Sequence, residues 1–111
     1  MKLLTKELIE KLPPLYANEE VADPIALVKF FDPCGSWTWY ATEYEPETRT
    51  FFGLVKGMEE ELGYFTLDEL ESVKGPLGLG IERDLWFKPT PLSKLRGSRI
   101  EICPGFTIEK V

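Results

Sequence analysis

Carboxylates at alternate positions are the residues of this chain best suited to chemistry. Glu43 and Glu45 fall on one face of a predicted strand, as do Glu82 and Asp84. Pairs with this spacing can hold Mg²⁺ or share the roles of acid and base. The sequence identifies no third ligand for either pair, and most acids so spaced are simply solvated. A carboxylate and divalent-metal hydrolase therefore remains only an alternative, and we predict no metal, no cofactor and no catalytic residue.

Histidine is absent from the 111 residues, and this absence limits the possible mechanisms. Ser-His-Asp and Cys-His catalysis are excluded, as is an imidazole base near neutral pH. Cys34 and Cys103 lack the paired spacing of zinc ligands, so we expect thiols in a reducing compartment, or a disulfide if the fold brings the two together. Enzymatic activity is the less favoured interpretation.

The formal charge of −6 is unevenly spread along the chain. Residues 43–71 contain nine acids and only two bases, whereas residues 72–111 contain seven bases and four acids. Such a division can orient a molecule towards a partner. Within the acidic part, the run Glu59, Glu60 and Glu61 is a candidate surface for contact with a protein.

Aromatic residues are concentrated around one predicted strand. A period of two places Trp37, Trp39 and Glu43 on one face of this strand, with Tyr40 and Tyr44 on the other. We expect the tryptophan face to be core, which leaves Tyr40 and Tyr44 as candidate binding residues. Aromatic side chains on a sheet can stack on the bases of single-stranded nucleic acid. The neighbouring strands, however, lack the lysines and arginines that neutralise phosphates.

The remaining candidate binding residues lie in the segment Ile81–Phe87. Arg83 and Asp84 are charged residues flanked by apolar ones, a pattern typical of a half-buried ion pair with a structural role. Trp86 precedes a basic stretch at residues 88–99. Together, an aromatic side chain and nearby bases would serve nucleic-acid binding, which we retain as an alternative function.

The pattern of apolar runs, caps and turns indicates one α+β domain. We expect a small antiparallel sheet, a meander of three to five strands, with short helices packed on one face. The predicted elements are a helix at 6–11 capped by Thr5, strands at 25–31, 37–44, 50–57 and 61–65, a helix from the capping box at Thr66 to about 73, a loop at 75–80, a strand at 81–87, a helix opened by Thr90 and Pro91 and ending at 95, and a hairpin about residues 104–105 in the extension 97–111.

Residues 1–7 contain no apolar stretch of the length that a signal peptide or a membrane span requires. The composition, with 43% hydrophobic and 29% charged residues, is typical of a globular domain with a hydrated surface. We therefore expect a single domain over residues 1–111, located in the cytoplasm and without contact to a membrane.

Several unusual strings occur in an order that resembles one bacterial family. They are DPCGSWTWYATEY from Asp32, TFFGLVKG, GYFTLDELE, GPLGLGIERDLWF and KPTPLSKL. The chain resembles the domain of unknown function 2958 over about residues 3–96. The resemblance implies an accessory role on plasmids and integrated conjugative elements, among DNA-handling and antirestriction genes. It implies no catalytic residue and no cofactor.

These observations favour a small binding module that contacts a protein partner. A strand edge, the loops or the acidic run would form the contact surface. Three alternatives remain open: an acidic DNA mimic of the antirestriction type, a binder of single-stranded nucleic acid, and the carboxylate hydrolase named above.

Overall fold

A five-stranded antiparallel sheet forms the centre of the molecule. The computed structural model describes residues 3–73 and 79–96, and the backbone of residues 99–103 and 106–109. The strands of the sheet are β2 (Val28–Phe31), β3 (Thr38–Glu45), β4 (Thr50–Lys56), β5 (Glu60–Thr66) and β6 (Glu82–Arg83). Their spatial order is β5-β4-β3-β2-β6, so four consecutive strands form the predicted meander and β6 pairs with β2 at the far edge.

One face of the sheet, which we call the core face, carries the main apolar core. Phe30, Phe51 and Phe65 are buried there, beneath the helices α1 (Lys6–Lys11) and α2 (Leu67–Ser72). Both helices begin at the predicted caps. The Thr5 hydroxyl accepts the Leu8 N–H at 3.3 Å, and Thr66 forms the capping box with its helix.

The opposite face, which we call the open face, is only partly covered. Strands β1 (Ile25–Ala26) and β7 (Thr90–Pro91) pair with each other, and α3 (Leu92–Leu95) follows β7. Leu92 packs with Ala26, Tyr40 and Leu54 on this face. Two helices thus lie on the single face that the sequence predicted, whereas the third lies on the other.

The cap of α3 differs from the prediction. Pro91 is the N-cap residue and makes no side-chain cap bond, while the Thr90 hydroxyl donates to the Lys88 carbonyl at 2.7 Å. Asp23 supplies the missing acceptor, because its carboxylate accepts the Ser93 N–H at 2.9 Å and the Ser93 hydroxyl at 2.7 Å. A residue 70 positions away in sequence therefore caps the helix and holds it on the open face.

The strand expected at 81–87 is much shorter than predicted. Only β6 pairs with the sheet, because Asp84 starts a turn directly after it. The Asp84 carboxylate accepts the Trp86 N–H at 2.9 Å, and its carbonyl accepts the Phe87 N–H at 3.3 Å. Most of the loop predicted at 75–80 lies outside the described residues.

The C-terminal extension contains the hairpin that the sequence predicted. Its strands β8 (Arg99–Cys103) and β9 (Phe106–Glu109) pair antiparallel in a separate two-stranded sheet. Across the described residues, no helix has the length and apolar character needed to cross a membrane.

A bulge in β3 changes which side chains share a face. The register shifts between Ala41 and Glu43, which makes Thr42 the extra residue. Thr42 is fully buried, and its hydroxyl donates to the Phe52 carbonyl at 3.0 Å. As a result Tyr44 lies on the core face and Glu43 on the open face. The predicted alternation, which paired Tyr44 with Tyr40, is therefore wrong beyond Ala41.

Gly53 lies opposite this bulge, where the two backbones approach closely. A Cβ atom at Gly53 would lie 1.8 Å from the Tyr40 carbonyl oxygen. Because this oxygen belongs to the backbone, no change of rotamer can relieve the clash. Its neighbour on β5, Gly63, has no heavy atom within 4 Å of the same position. Of the two glycines of this cross-strand pair, only Gly53 is therefore required by a close approach of the backbone.

This difference predicts unequal effects of alanine at the two positions. We expect Gly53→Ala to reduce the free energy of unfolding by at least about 2 kcal/mol, because β4 must move away from the bulge. Gly63→Ala should change it by less than about 0.5 kcal/mol. Urea denaturation of both variants measures the difference, and equal losses would show that the bulge does not require glycine.

Candidate functional site

A groove with a volume of about 550 Å³ lies on the open face, beside strand β5. Phe52, Leu62 and Tyr64 from β4 and β5 form its floor. One wall is the segment 16–24, and the other is formed by Leu92 and Ser93 at the start of α3 and by Arg96 directly after it. The floor is apolar and the walls add polar and charged groups, the combination expected of a binding groove.

Glu43 positions the first wall. The bulge directs this side chain onto the open face, where it is buried, and its two carboxylate oxygens accept the Tyr16 N–H at 2.9 Å and the Asn18 N–H at 2.8 Å. Asn18 donates its side-chain amide to the Thr42 carbonyl at 3.4 Å. These bonds hold Tyr16 at a φ of 72°, in the left-handed region that a non-glycine residue adopts only when its surroundings require it.

Two tyrosines form the mouth of the groove. Tyr16 and Tyr64 are 63% and 57% exposed. The pKa of Tyr64 is raised, first by a side-chain hydrogen bond with Tyr16, then by desolvation, and also by nearby negative charges that include Glu43 and Glu19. The mouth is therefore aromatic and lies in a negative electrostatic potential.

The second wall is held by polar contacts to α3. The hydrogen bonds from the Ser93 hydroxyl and N–H lower the pKa of Asp23 below its ordinary value. Arg96 lies 3.8 Å from Glu60, which also pairs with Lys56 at 3.5 Å. Both walls are thus built from contacts between segments that are distant in sequence.

Strand β5 forms the outer edge of the sheet beside the groove. At one end of the β4–β5 pairing, the Gly57 N–H donates to the Glu59 carbonyl at 3.0 Å, and at the other the Leu67 N–H donates to the Arg49 carbonyl at 2.9 Å. Directly opposed residues in antiparallel strands alternate between hydrogen-bonded and non-hydrogen-bonded pairs. Both bonds therefore indicate that the backbone N–H and C=O groups of the odd-numbered residues of β5 are hydrogen-bonded to β4.

The even-numbered residues of β5 direct their backbone groups away from the sheet. The outward N–H of Thr66 is accepted by the Glu69 carboxylate at 3.3 Å, as part of the capping box. Leu62 and Tyr64 present their N–H and C=O groups at the edge, and within the described part of the chain no strand pairs with that edge. Their side chains lie on the open face.

The predicted binding residue Tyr40 is buried on the open face, under α3. Two lysines lie over its ring: the Lys29 Nζ is 5.8 Å from the ring centroid and the Lys56 Nζ is 6.0 Å from it. Burial, with the charges of Asp84 and Glu60, raises the pKa of Tyr40 to about 12. Lys29 is also buried, and desolvation lowers its pKa although the ion pair with Asp84 at 3.6 Å opposes the shift.

The other predicted residues in and near the sheet do not converge with Tyr40. Tyr44 is buried on the core face, with its ring centroid 4.6 Å from that of Phe51. Arg83 donates to the Leu3 carbonyl at 3.0 Å, and Asp84 pairs with Lys29 at 3.6 Å. Trp86 is 88% exposed, beyond the turn that ends β6.

The acidic run is divided between the two faces of the sheet. Glu59 and Glu61 flank a second hollow of about 330 Å³, which is also lined by Trp37 and Met58. Trp37 lies against the backbone of Gly57, where a Cβ atom would be 2.4 Å from the indole. Glu60, by contrast, lies on the open face in its contacts with Lys56 and Arg96. The three acids therefore do not form one patch.

Sequence reasoning missed the groove. The sequence suggests for Glu43 only a role beside Glu45, as a metal ligand or as an acid or base. Among the residues that the structure describes, no three acids or thiols are grouped to hold a metal ion. Leu62 and Tyr64 carried a signal, since two large apolar residues alternate in a strand that begins with two acids. Tyr16 carried none, because its position depends on a bond to a residue 27 positions away.

The role of Glu43 can be tested by removing one of its acceptors. In Glu43→Gln, a side-chain amide would face a backbone N–H, and we expect a loss of about 1 to 3 kcal/mol in the free energy of unfolding. The amides of Tyr16 and Asn18 should exchange with solvent faster. Glu45→Gln is the matched control, since the bond that Glu45 accepts comes from the N–H of Glu47, two residues away. Similar losses in both variants would contradict the assignment.

The buried hydroxyl of Tyr40 predicts a loss of stability at high pH. Its pKa is 10.0 in the unfolded chain and about 12 in the folded one, so the unfolded chain releases this proton first. Stability is therefore retained below pH 10 and decreases by about 2 to 3 kcal/mol as the pH rises to about 12. The lowered pKa of Lys29 has the opposite effect on stability, since the folded chain releases this proton first. This gain in stability is complete near pH 10.5, the pKa of Lys29 in the unfolded chain. Denaturation across this pH range should show a weaker decrease in Tyr40→Phe, and an equal decrease would contradict the prediction.

Comparison with known proteins assigns a family and no activity. A family model described as "Protein of unknown function (DUF2958)" matches residues 3–96, which is most of the chain. The chain therefore belongs to this family, as the resemblance of its strings indicated. No curated protein and no solved structure matches the chain.

Proposed function

We propose that this member of the DUF2958 family is a protein-binding module that adds an extended segment of its partner to the edge of β5. One observation carries the proposal: Leu62 and Tyr64 present backbone donors and acceptors at an edge that no described strand covers. In this mode of recognition the main-chain hydrogen bonds provide affinity, and alternate side chains of the added strand provide specificity.

The composition of β5 supports this use of the edge. Exposed edge strands are commonly protected by charges, prolines, bulges or short length. β5 has seven residues, pairs without a register shift and has no proline. Its acids are confined to its first two positions, and Leu62 and Tyr64 follow them as exposed side chains. The edge thus has the length and regularity that a second strand requires.

The groove supports the same proposal, because it could select among the side chains of an added strand. Residues directly opposite each other on paired strands direct their side chains to the same face. A strand added beside Leu62 and Tyr64 would therefore place alternate side chains on the open face, at the mouth of the groove. The apolar floor with Phe52 would bury part of these side chains.

The setting of this binding is also part of the proposal. The family resemblance favours a bacterial protein encoded on plasmids and integrated conjugative elements, and we propose the cytoplasm as its location. We therefore propose that the partner is a protein that belongs to or acts on such an element.

The alternative functions have less support from the described residues. The groove is lined by Glu19, Asp23 and Glu43 against Arg96, a balance that would repel a phosphate backbone. DNA mimicry needs acids spaced along one surface, whereas Glu60 lies on the face opposite Glu61. A hydrolase would need convergent carboxylates, and among the described residues no three acids or thiols are grouped to hold a metal ion.

A pair of variants at position 62 tests strand addition. Leu62→Pro removes the outward N–H without removing a bond to β4, and Leu62→Ala removes the same side chain but keeps the N–H. Peptides selected on the wild-type chain from a random library should bind Leu62→Pro at least roughly tenfold more weakly than Leu62→Ala. In the wild-type complex, the amides of Leu62 and Tyr64 should become protected from solvent exchange.

Circular dichroism and thermal unfolding of both variants control for loss of the fold. The proposal is wrong if the selected peptides bind the two variants equally, or if the amides of Leu62 and Tyr64 exchange at the same rate with and without peptide. A library that yields no binder would also count against it.

A further inference from the structure

The geometry points to an arginine side chain of the bound strand as the occupant of the groove. Its guanidinium would stack on the exposed ring faces of Tyr16 and Tyr64, and its aliphatic stem would lie on Leu62 and Phe52. This inference rests on the proposed function, since the added strand delivers the side chain, but it names a chemistry that strand addition alone does not require.

The charges around the groove favour a cation. Its lining carries three acids, Glu19, Asp23 and Glu43, and one base, Arg96. Arg96 lies 3.8 Å from Glu60, so its charge is partly compensated. A positive side chain at the mouth would therefore gain electrostatic energy, whereas an acidic one would be repelled. The raised pKa of Tyr64 has the same origin in part, because Glu43 and Glu19 act on its hydroxyl.

The remaining acceptors of the site suit a group with several donors. The Glu43 carboxylate accepts two backbone N–H bonds, at 2.9 and 2.8 Å, and an ionised carboxylate has about four acceptor positions. Glu19 is exposed on the same wall. Asp23 already accepts two bonds from Ser93. Glu19 is therefore the acid most accessible to a bound cation, while the buried Glu43 contributes its negative charge.

The two tyrosines favour arginine over lysine. A planar guanidinium stacks on aromatic rings and donates in a fixed fork, whereas an ammonium is a compact and strongly hydrated charge. Tyr16 and Tyr64 are both more than half exposed at the mouth, so their ring faces are accessible. The apolar floor, with Leu62 and Phe52, would cover the methylene stem that a long basic side chain carries.

The test compares two peptides that differ in one charge. Each is an extended peptide of alternating threonine and valine, with either arginine or the isosteric, neutral citrulline at its centre. We expect the arginine peptide to bind the full chain roughly three- to tenfold more tightly by calorimetry. Added salt should reduce this preference.

Protein variants assign the preference to the groove. Glu19→Gln should reduce the preference for arginine, whereas Glu20→Gln, at the exposed neighbouring position outside the lining, should not. Tyr64→Phe keeps the ring and should retain most of the preference, while Tyr64→Leu should lose it. Equal binding of both peptides to the wild-type chain, or equal effects of Glu19→Gln and Glu20→Gln, would overturn the inference.

Leu62→Pro separates this inference from the proposed function. If both peptides bind equally and both are lost in Leu62→Pro, strand addition holds and the arginine site does not. If the preference for arginine persists undiminished in Leu62→Pro, the groove selects a cation but the strand is not its carrier, and strand addition fails. If neither peptide binds the wild-type chain, both proposals fail.

Discussion

The hydrogen bond from the Thr42 hydroxyl to the Phe52 carbonyl is the interaction on which the two-sided arrangement of this sheet depends. It stabilises a one-residue bulge, and the bulge reverses the alternation of β3 for every residue that follows. Without it, Tyr44 would leave the core and Glu43 would enter it, where a carboxylate has no polar partner. The bulge therefore serves both faces at once, since it completes an aromatic core on one and provides an anchor for a loop on the other.

The two faces are stabilised by different physical means. Aromatic packing dominates the core face, where the Phe51 ring lies 5.3 Å from Phe30 and 5.2 Å from Phe65 between centroids. On the open face, Lys29 and Asp84 are paired beside Tyr40, and desolvation opposes the charged lysine. The apolar part of the open face that α3 leaves uncovered is the floor of the groove, so the groove exists because this cover is incomplete.

The parts of the fold that the sequence predicts are those set by local interactions. The capping box at Thr66 and the turns between β3, β4 and β5 are encoded within a few residues, and the predicted elements there agree with the structure. The groove is set by contacts over long separations in sequence. Asp23 caps α3 from 70 residues away, and Glu43 binds the Tyr16 N–H from 27. Periodicity also cannot locate a bulge, because one extra residue leaves each half of β3 regular.

The two edges of the sheet differ in a way that bears on function. β6 has two residues and ends where the Asp84 carboxylate bonds the Trp86 N–H, so it offers little edge to another strand. β5 has seven residues, and Leu62 and Tyr64, whose backbone groups point outward, also line the groove with their side chains. Protection of an edge by short length is a common means of avoiding unwanted pairing. A chain that protects one edge in this way and leaves the longer edge regular, beside a groove lined by acids and tyrosines, combines the two requirements of strand recognition: backbone groups that bind any extended segment and side chains that select among them.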